Sequence, residues 1–165
     1  MILLNKFVTF FRQDYRIGRI DRILFSLIIK PGMRIAGNIC VEKEEITEKI
    51  IGCAFIVYNK MGSGFLESVY ERCLLIELKK SGLCAKSQQT INVRYDNQIV
   101  GEFTADIIVE NSIIVELKAV SQLTKIHETQ LVNYLVSTGL DIGLLINFGA
   151  ENVQVKRKVR VLKNV

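Results

Sequence analysis

Asp106, Glu116 and Lys118 are the residues of this chain whose types and spacing could do chemistry. Phe103-Thr104-Ala105-Asp106-Ile107-Ile108-Val109 alternates like a β-strand, as does Ile113-Ile114-Val115-Glu116-Leu117-Lys118, and Glu110-Asn111-Ser112 between them is a turn cluster. A three-residue loop there sets Val109 against Ile113 and brings Asp106 opposite Glu116. Opposed residues on neighbouring strands have Cβ atoms roughly 4.5–5.5 Å apart. Lys118 shares the face of Glu116, because side chains alternate along a strand. Two carboxylates and an amine on one face are costly unless a cation fills the site. A hard divalent ion such as Mg²⁺ takes one or two carboxylates and keeps several waters. The lysine beside it could orient or deprotonate a water, or stabilise developing negative charge. The plainer alternative is a solvated polar face with a Glu–Lys pair. A two-residue Asn111-Ser112 turn would instead set Asp106 against Leu117, on the wrong face.

Two helices offer supporting residues. Glu67 falls early in one, with Tyr70 and Glu71 on its face at i+3 and i+4. It reads either as a dipole-favoured surface residue or as a third metal or water ligand. His127, Gln130 and Tyr134 form a polar stripe on another helix. Gln130 can hydrogen-bond a phosphate, a base edge or a lysine, and His127 could relay protons.

The elements that must position these residues follow from periodicity. Apolar residues recur at helical spacing from Glu44 to Met61, and Gly62-Ser63-Gly64 ends that helix. A second helix is expected from about Phe65 to Ser81, stopped by Gly82. Strands follow at Ile91–Tyr95, Ile99–Val109 and Ile113–Lys118. A third helix over about Leu123 to Ser137 stops at Gly139, and strands Ile142–Phe148 and Val153–Leu162 close the chain. The natural packing is a mixed sheet with helices on its faces.

With 165 residues, 49% hydrophobic and 24% charged, the chain fits one globular domain and excludes disordered, collagenous and disulfide-dense classes. Cys40, Cys53, Cys73 and Cys84 show no ligand spacing and read as free buried thiols of a reducing, cytoplasmic compartment. The net charge of +5 is uneven, with six Lys or Arg against two Asp in residues 1–32. The nearly neutral body does not by itself announce nucleic-acid binding. Lys156, Arg157, Lys158, Arg160 and Lys163 make the C-terminal strand a local basic exception. Met1 to Phe11 is too short to span a membrane and lacks the layout of a signal peptide. Residues 1–40 read as a basic, apolar extension. It either touches a membrane or nucleic acid, or is translated from upstream of a start at Met33. Pro31-Gly32 marks a break.

Gly64-Phe65-Leu66-Glu67-Ser68-Val69-Tyr70 fits the pattern that names the GxxExxY protein family. Glu116-Leu117-Lys118-Ala119-Val120, the stretch from His127 to Leu135, and Leu144-Leu145-Ile146-Asn147-Phe148 are similar to that family's other signatures. The similarity covers about residues 44–162, and the family resembles the PD-(D/E)XK nuclease superfamily. The resemblance implies an α/β fold with a restriction-endonuclease-like core, a central mixed β-sheet of about four to five strands flanked by helices, over residues 41–165. It implies that Asp106, Glu116 and the Leu117 carbonyl hold Mg²⁺, with Mn²⁺ as a substitute, that Lys118 is the catalytic lysine, and that Glu67 completes the acidic cluster. Gln130 would be the helix glutamine of the RecB-like branch, and Tyr70, His127 and Tyr134 would stand behind the site. Tyr58 replaces a histidine of many relatives, and Ala105 stands where others have proline.

The function expected is metal-dependent hydrolysis of phosphodiester bonds in nucleic acid, with DNA ahead of RNA, no small-molecule cofactor, no transmembrane segment and room for a homodimer. Gln130, Lys156, Arg157, Lys158 and Arg160 would hold the phosphate backbone, which fixes register without reading sequence. No recognition helix, zinc finger or aromatic stacking platform is legible. The alternatives are a non-catalytic nucleic-acid-binding or protein-interaction module that keeps the nuclease fold, and a membrane-surface protein tethered by residues 1–30.

Overall fold

The computed structural model describes residues 38–160, with side chains from residue 42 onward. The expectations for the N-terminal extension, its Pro31-Gly32 break and the Met33 start, and for Lys163, lie outside the described residues.

Among the described residues, eight elements run in the order α1 (Asn38–Met61), α2 (Glu67–Lys80), β1 (Ala85–Tyr95), β2 (Gln98–Val109), β3 (Ile113–Lys118), α3 (Lys125–Thr138), β4 (Ile142–Asn147) and β5 (Gln154–Val159). The five strands lie side by side in chain order. β1, β2 and β3 are an antiparallel meander, β3 and β4 are parallel and joined through α3, and β5 returns antiparallel to β4. A parallel pair requires such a crossover. β3 and β4 are covered on both faces, which is why Ile113–Leu117 and Ile142–Asn147 are buried almost without interruption.

One face carries α1 and α2. Ile50, Ala54 and Val57 of α1 and Tyr70, Leu74 and Leu78 of α2 pack with Ile107, Val109, Val115, Leu117, Leu144 and Ile146. The other face carries α3, whose Leu131, Tyr134 and Leu135 pack on Ile114, Leu145, Ala105 and Ile91. Leu131 seats directly over Gly143, where a Cβ would stand 2.7 Å from its Cδ1.

The expected order, the mixed sheet and most boundaries agree with the structure. Two expectations are corrected. The first long strand starts at Ala85 rather than Ile91, because Lys86-Ser87-Gln88-Gln89-Thr90 lies on an edge strand, where polar side chains face water and no apolar alternation develops. Of the cysteines with described side chains, Cys53 is buried, but Cys73 is only half-buried and Cys84 is exposed; all three are free, and the expectation for Cys40 lies outside the described side chains.

β1 and β2 turn over part-way along. Before the turnover, Ile107 and Val109 face α1 and α2; beyond it, Ala105 of the same parity faces α3. The ladder pairs Ser87 with Ile107 and Gln89 with Ala105, leaving no pairing between Gln88 and Asp106. Gln88 takes a positive φ of 50° there. Irregularities of this kind bend a strand and re-aim a side chain, and the side chain re-aimed here is Asp106.

Candidate active site

Val109 pairs with Ile113, and Ile107 with Val115, so the three-residue loop and its register are as the alternation predicts. Glu110 and Asn111 supply the turn with φ of 51° and 50°, a conformation in which Asn is among the tolerated residues. The ladder stops after Ile107 and Val115. Continued one step, its register sets Asp106 against Glu116. In place of a further backbone rung, the Leu117 N–H donates to Asp106 Oδ2 at 2.7 Å. β3 parts from β2 at this point, and the Asp106 carboxylate enters the gap. Leu117 buries its side chain at 1% exposure and lends its backbone to the site.

Glu116 is 2% exposed. Lys118 Nζ donates to its Oε1 at 2.7 Å, while its Oε2 is buried with no hydrogen-bond partner. Burial, reinforced by the neighbouring charge of Asp106, pushes the Glu116 carboxyl up to about 7. Burial also raises Asp106, against the lowering effect of the Leu117 N–H. Burial on its own would lower Lys118, but the hydrogen bond and charge of Glu116, with Glu67 and Asp106 beyond, more than offset it and hold the ammonium above its ordinary value.

Glu67 opens α2 and is exposed; its Oε1 accepts the Ala119 N–H at 3.1 Å, one residue beyond Lys118. Its charge reaches Asp106, Glu116 and Lys118. Tyr70 lies in the core, stacked on Phe148 with centroids 4.5 Å apart. Its hydroxyl donates to Gly62 O at 2.8 Å and accepts from Phe65 N at 3.2 Å, closing the loop that leads into Glu67. Tyr70→Phe should therefore cost about 1 kcal/mol of stability, measured by urea unfolding, with a modest loss of any activity that depends on Glu67.

On α3, Gln130 Nε2 donates to the Tyr134 hydroxyl at 2.7 Å. Burial raises the Tyr134 phenol, Gln130 opposes this, and the charges of Glu116, Lys118 and Asp106 all act on it. The structure thus brings Gln130 and Tyr134 toward the carboxylates. His127 is employed differently: its Nδ1 accepts the Thr124 N–H at 3.3 Å and closes a capping box at the helix start.

The basic strand β5 is engaged with acidic partners. Arg157 pairs with Glu44 at 2.5 Å, Arg160 with Asp141 at 2.9 Å, and Lys158 with Glu128. Each would have to exchange that partner before taking a phosphate. Lys156 lies on the same strand, opposite Leu145.

Asn147 is the positioning residue that sequence reasoning missed. It is fully buried. Its Oδ1 accepts from Val120 N at 3.0 Å and Gly149 N at 3.1 Å, and its Nδ2 donates to Val120 O at 2.7 Å and Gln154 Oε1 at 3.0 Å. Phe148 N also donates to Lys118 O at 2.8 Å. Gly149 lies so close that an added Cβ would stand 2.3 Å from Val120 N. The chain just after Lys118 is thereby clamped to the end of β4. A buried polar residue at the end of an apolar strand was the one signal available. Asn147→Ala should orphan several part-buried backbone groups and cost about 3 kcal/mol, readable as a lowered midpoint in urea.

Residues 44–159 match the family model of the PD-(D/E)XK nuclease superfamily. The chain belongs to this superfamily. Its members are nucleases that generally use divalent metal ions, and the five-stranded mixed sheet between helices is the restriction-endonuclease-like fold. No curated protein matches the chain. Among solved structures, the crystal structure of SSO0001 is 18% identical with a TM-score of 0.48, over 58% of this chain and 50% of that one. The chain therefore aligns with half the length of SSO0001. An alkaline exonuclease, LHK-Exo, from Laribacter hongkongensis is 12% identical with a TM-score of 0.35, over 70% of this chain and 82% of that one.

The residues fit a divalent cation. Glu116 Oε2 has no donor among the described residues, where Lys118 is the cation acting on both carboxylates. Among the described residues no three His, Cys, Asp or Glu side chains form a cage. An ion here would take two carboxylates with backbone oxygen and water, as Mg²⁺ does. No helix among the described residues is long and apolar enough to cross a membrane.

Proposed function

We propose that the chain is a Mg²⁺-dependent nuclease of the GxxExxY type that hydrolyses phosphodiester bonds in nucleic acid, DNA ahead of RNA, with Mn²⁺ as a working substitute. Residues 41–165 form the nuclease domain of this reading, and the cytoplasm is its compartment. The observation that carries it is the carboxylate pair: half-buried Asp106 and buried Glu116 meet where β3 parts from β2, with Lys118 on Glu116 and one Glu116 oxygen unpartnered.

Asp106, Glu116 and the Leu117 carbonyl would hold the ion. When bound, it would polarise the scissile phosphate and lower the pKa of a coordinated water. The remaining work falls to the chain. The Leu117 N–H fixes the Asp106 carboxylate. Lys118 keeps its proton through Glu116, so it acts as a cation and donor toward the phosphate or the incoming water, stabilising charge that develops in the transition state. Glu67 braces the backbone just past Lys118, and Gln130 orients the Tyr134 hydroxyl along the α3 wall. Gln130, Lys156, Arg157, Lys158 and Arg160 would contact the phosphate backbone, the last three only after giving up acidic partners.

The test is cleavage of labelled single- and double-stranded DNA and RNA by the purified protein, with Mg²⁺ or Mn²⁺ against EDTA. Metal-dependent cutting is expected. Folded protein that cuts no substrate under any of these conditions would sink the reading and leave the non-catalytic module.

A further inference from the structure

Between α3 and β2 lies an open pocket of about 410 Å³ lined by Phe103, Lys125, Ile126, Gln130, Asn133 and Tyr134, among others. We infer that this pocket is a nucleobase subsite, in which an unpaired base of the substrate strand stacks on Phe103. The inference rests on the nuclease reading and adds to it a substrate class: single-stranded nucleic acid, or the frayed end of a duplex.

Phe103 and Ile126 are its apolar walls, 40% and 77% exposed. Both are large hydrophobic side chains left in water. Phe103 is supported from below by Tyr134, with ring centroids 5.2 Å apart and planes tilted by 45°, which holds its ring in place for stacking. Asn133 offers an amide that can both donate and accept, as the edges of bases require, and Lys125 offers a cation for the adjoining phosphate. The pocket shares part of its α3 lining with the candidate site, through Tyr134, on which the charges of Glu116, Lys118 and Asp106 act. Gln130 and Tyr134 belong to both, and Phe103 lies three residues before Asp106 on β2. The turnover at Gln88 and Asp106 is what sets Phe103 on the α3 face; unbroken alternation with Ile107 would have set it on the other.

The occupant follows from this combination. A flat apolar wall with amide and cation at its rim suits a heteroaromatic ring carrying a phosphate. Every base has a π-face, so stacking is tolerant of sequence. In an intact duplex those faces are hidden, so only an unpaired or extruded base can enter.

The experiment measures binding of the full chain, in EDTA so that nothing is cut, to fluorescently labelled single strands of DNA and RNA, to an abasic strand of equal length, and to duplex. Single strands should bind more tightly than duplex. Phe103→Ala should weaken base-bearing strands by about tenfold and leave the abasic strand unchanged. Ile126→Ala, at a side chain that contributes little to packing, should show the same selectivity in smaller measure. The DNA and RNA arms identify which strand supplies the base. Equal loss on abasic and base-bearing strands, no loss in either variant, or no binding of any strand would overturn the inference. The nuclease reading is separable from it. Base-selective loss in a protein that never cuts retains the subsite and removes the nuclease; cutting without base-selective loss does the reverse.

Discussion

Lys118→Ala is expected to lower metal-dependent cleavage by about 10³-fold, the scale of removing one well-placed donor from a developing negative charge. The side chain is 13% exposed and its ammonium rests on Glu116 Oε1 at 2.7 Å. Three carboxylates hold that ammonium protonated, so what the substitution removes is a positive charge next to the phosphate. Lys118→Met separates charge from bulk, because it keeps the length of the stem. Both variants should lose activity to a similar extent, and both should raise the Glu116 carboxyl further, since its nearest positive partner is gone. The pH at which residual cleavage sets in should therefore move upward. Rates by gel assay across pH, with circular dichroism to verify folding, test this. A Lys118→Met protein that cuts at the wild-type rate would show that the site is wrongly assigned.

The carboxylate register was legible because a strand has a period of two and the Glu110-Asn111-Ser112 loop leaves little choice once Val109 and Ile113 are both apolar. The pairing of Val109 with Ile113 excludes the two-residue alternative. The mixed sheet was legible for a similar reason, since Ile113–Leu117 is apolar except for Glu116, Ile142–Ile146 carries no polar side chain, and a helix of adequate length separates them. Other features arise only when distant segments meet. The turnover at Gln88 and Asp106 leaves no mark on apolar alternation, because the residues around Gln88 are polar on an edge strand. The aromatic pair Phe103–Tyr134 joins a strand and a helix that lie far apart in sequence, so no stacking platform could be read from either. His127 falls on the Gln130 stripe by helical spacing, but it is the third residue of the helix, and an N–H there needed an acceptor. The basic run of β5 looked free because its acidic partners, Glu44, Glu128 and Asp141, come from three other segments.

Glu116→Gln should stabilise the metal-free protein at pH 8, abolish its stabilisation by Mg²⁺ and remove cleavage. Burial pushes the folded carboxyl up to about 7, from an ordinary value of 4.5. A folded pKa above the unfolded one means that the native state binds the proton more tightly. The stability this supplies is fully present below about pH 4.5 and is lost as pH rises through about 7. Above that range the fold must hold an ionised group that is 2% exposed, at a cost on the order of 3 kcal/mol. Wild-type protein in EDTA should therefore melt at a lower temperature at pH 8 than its uncharged variant does, and the difference should shrink by pH 5. Mg²⁺ supplies the missing partner, so it should raise the wild-type melting temperature with concentration, by mass action, more at pH 8 than at pH 5, where protons compete for Glu116. The variant keeps an oxygen for Lys118 but offers no second carboxylate to the ion. Melting curves for both proteins at the two pH values, over a range of Mg²⁺ concentrations, contain the whole test. If Mg²⁺ moves neither curve, and the two proteins share one pH dependence, then Glu116 is not held as a frustrated anion and the site is not built around a cation.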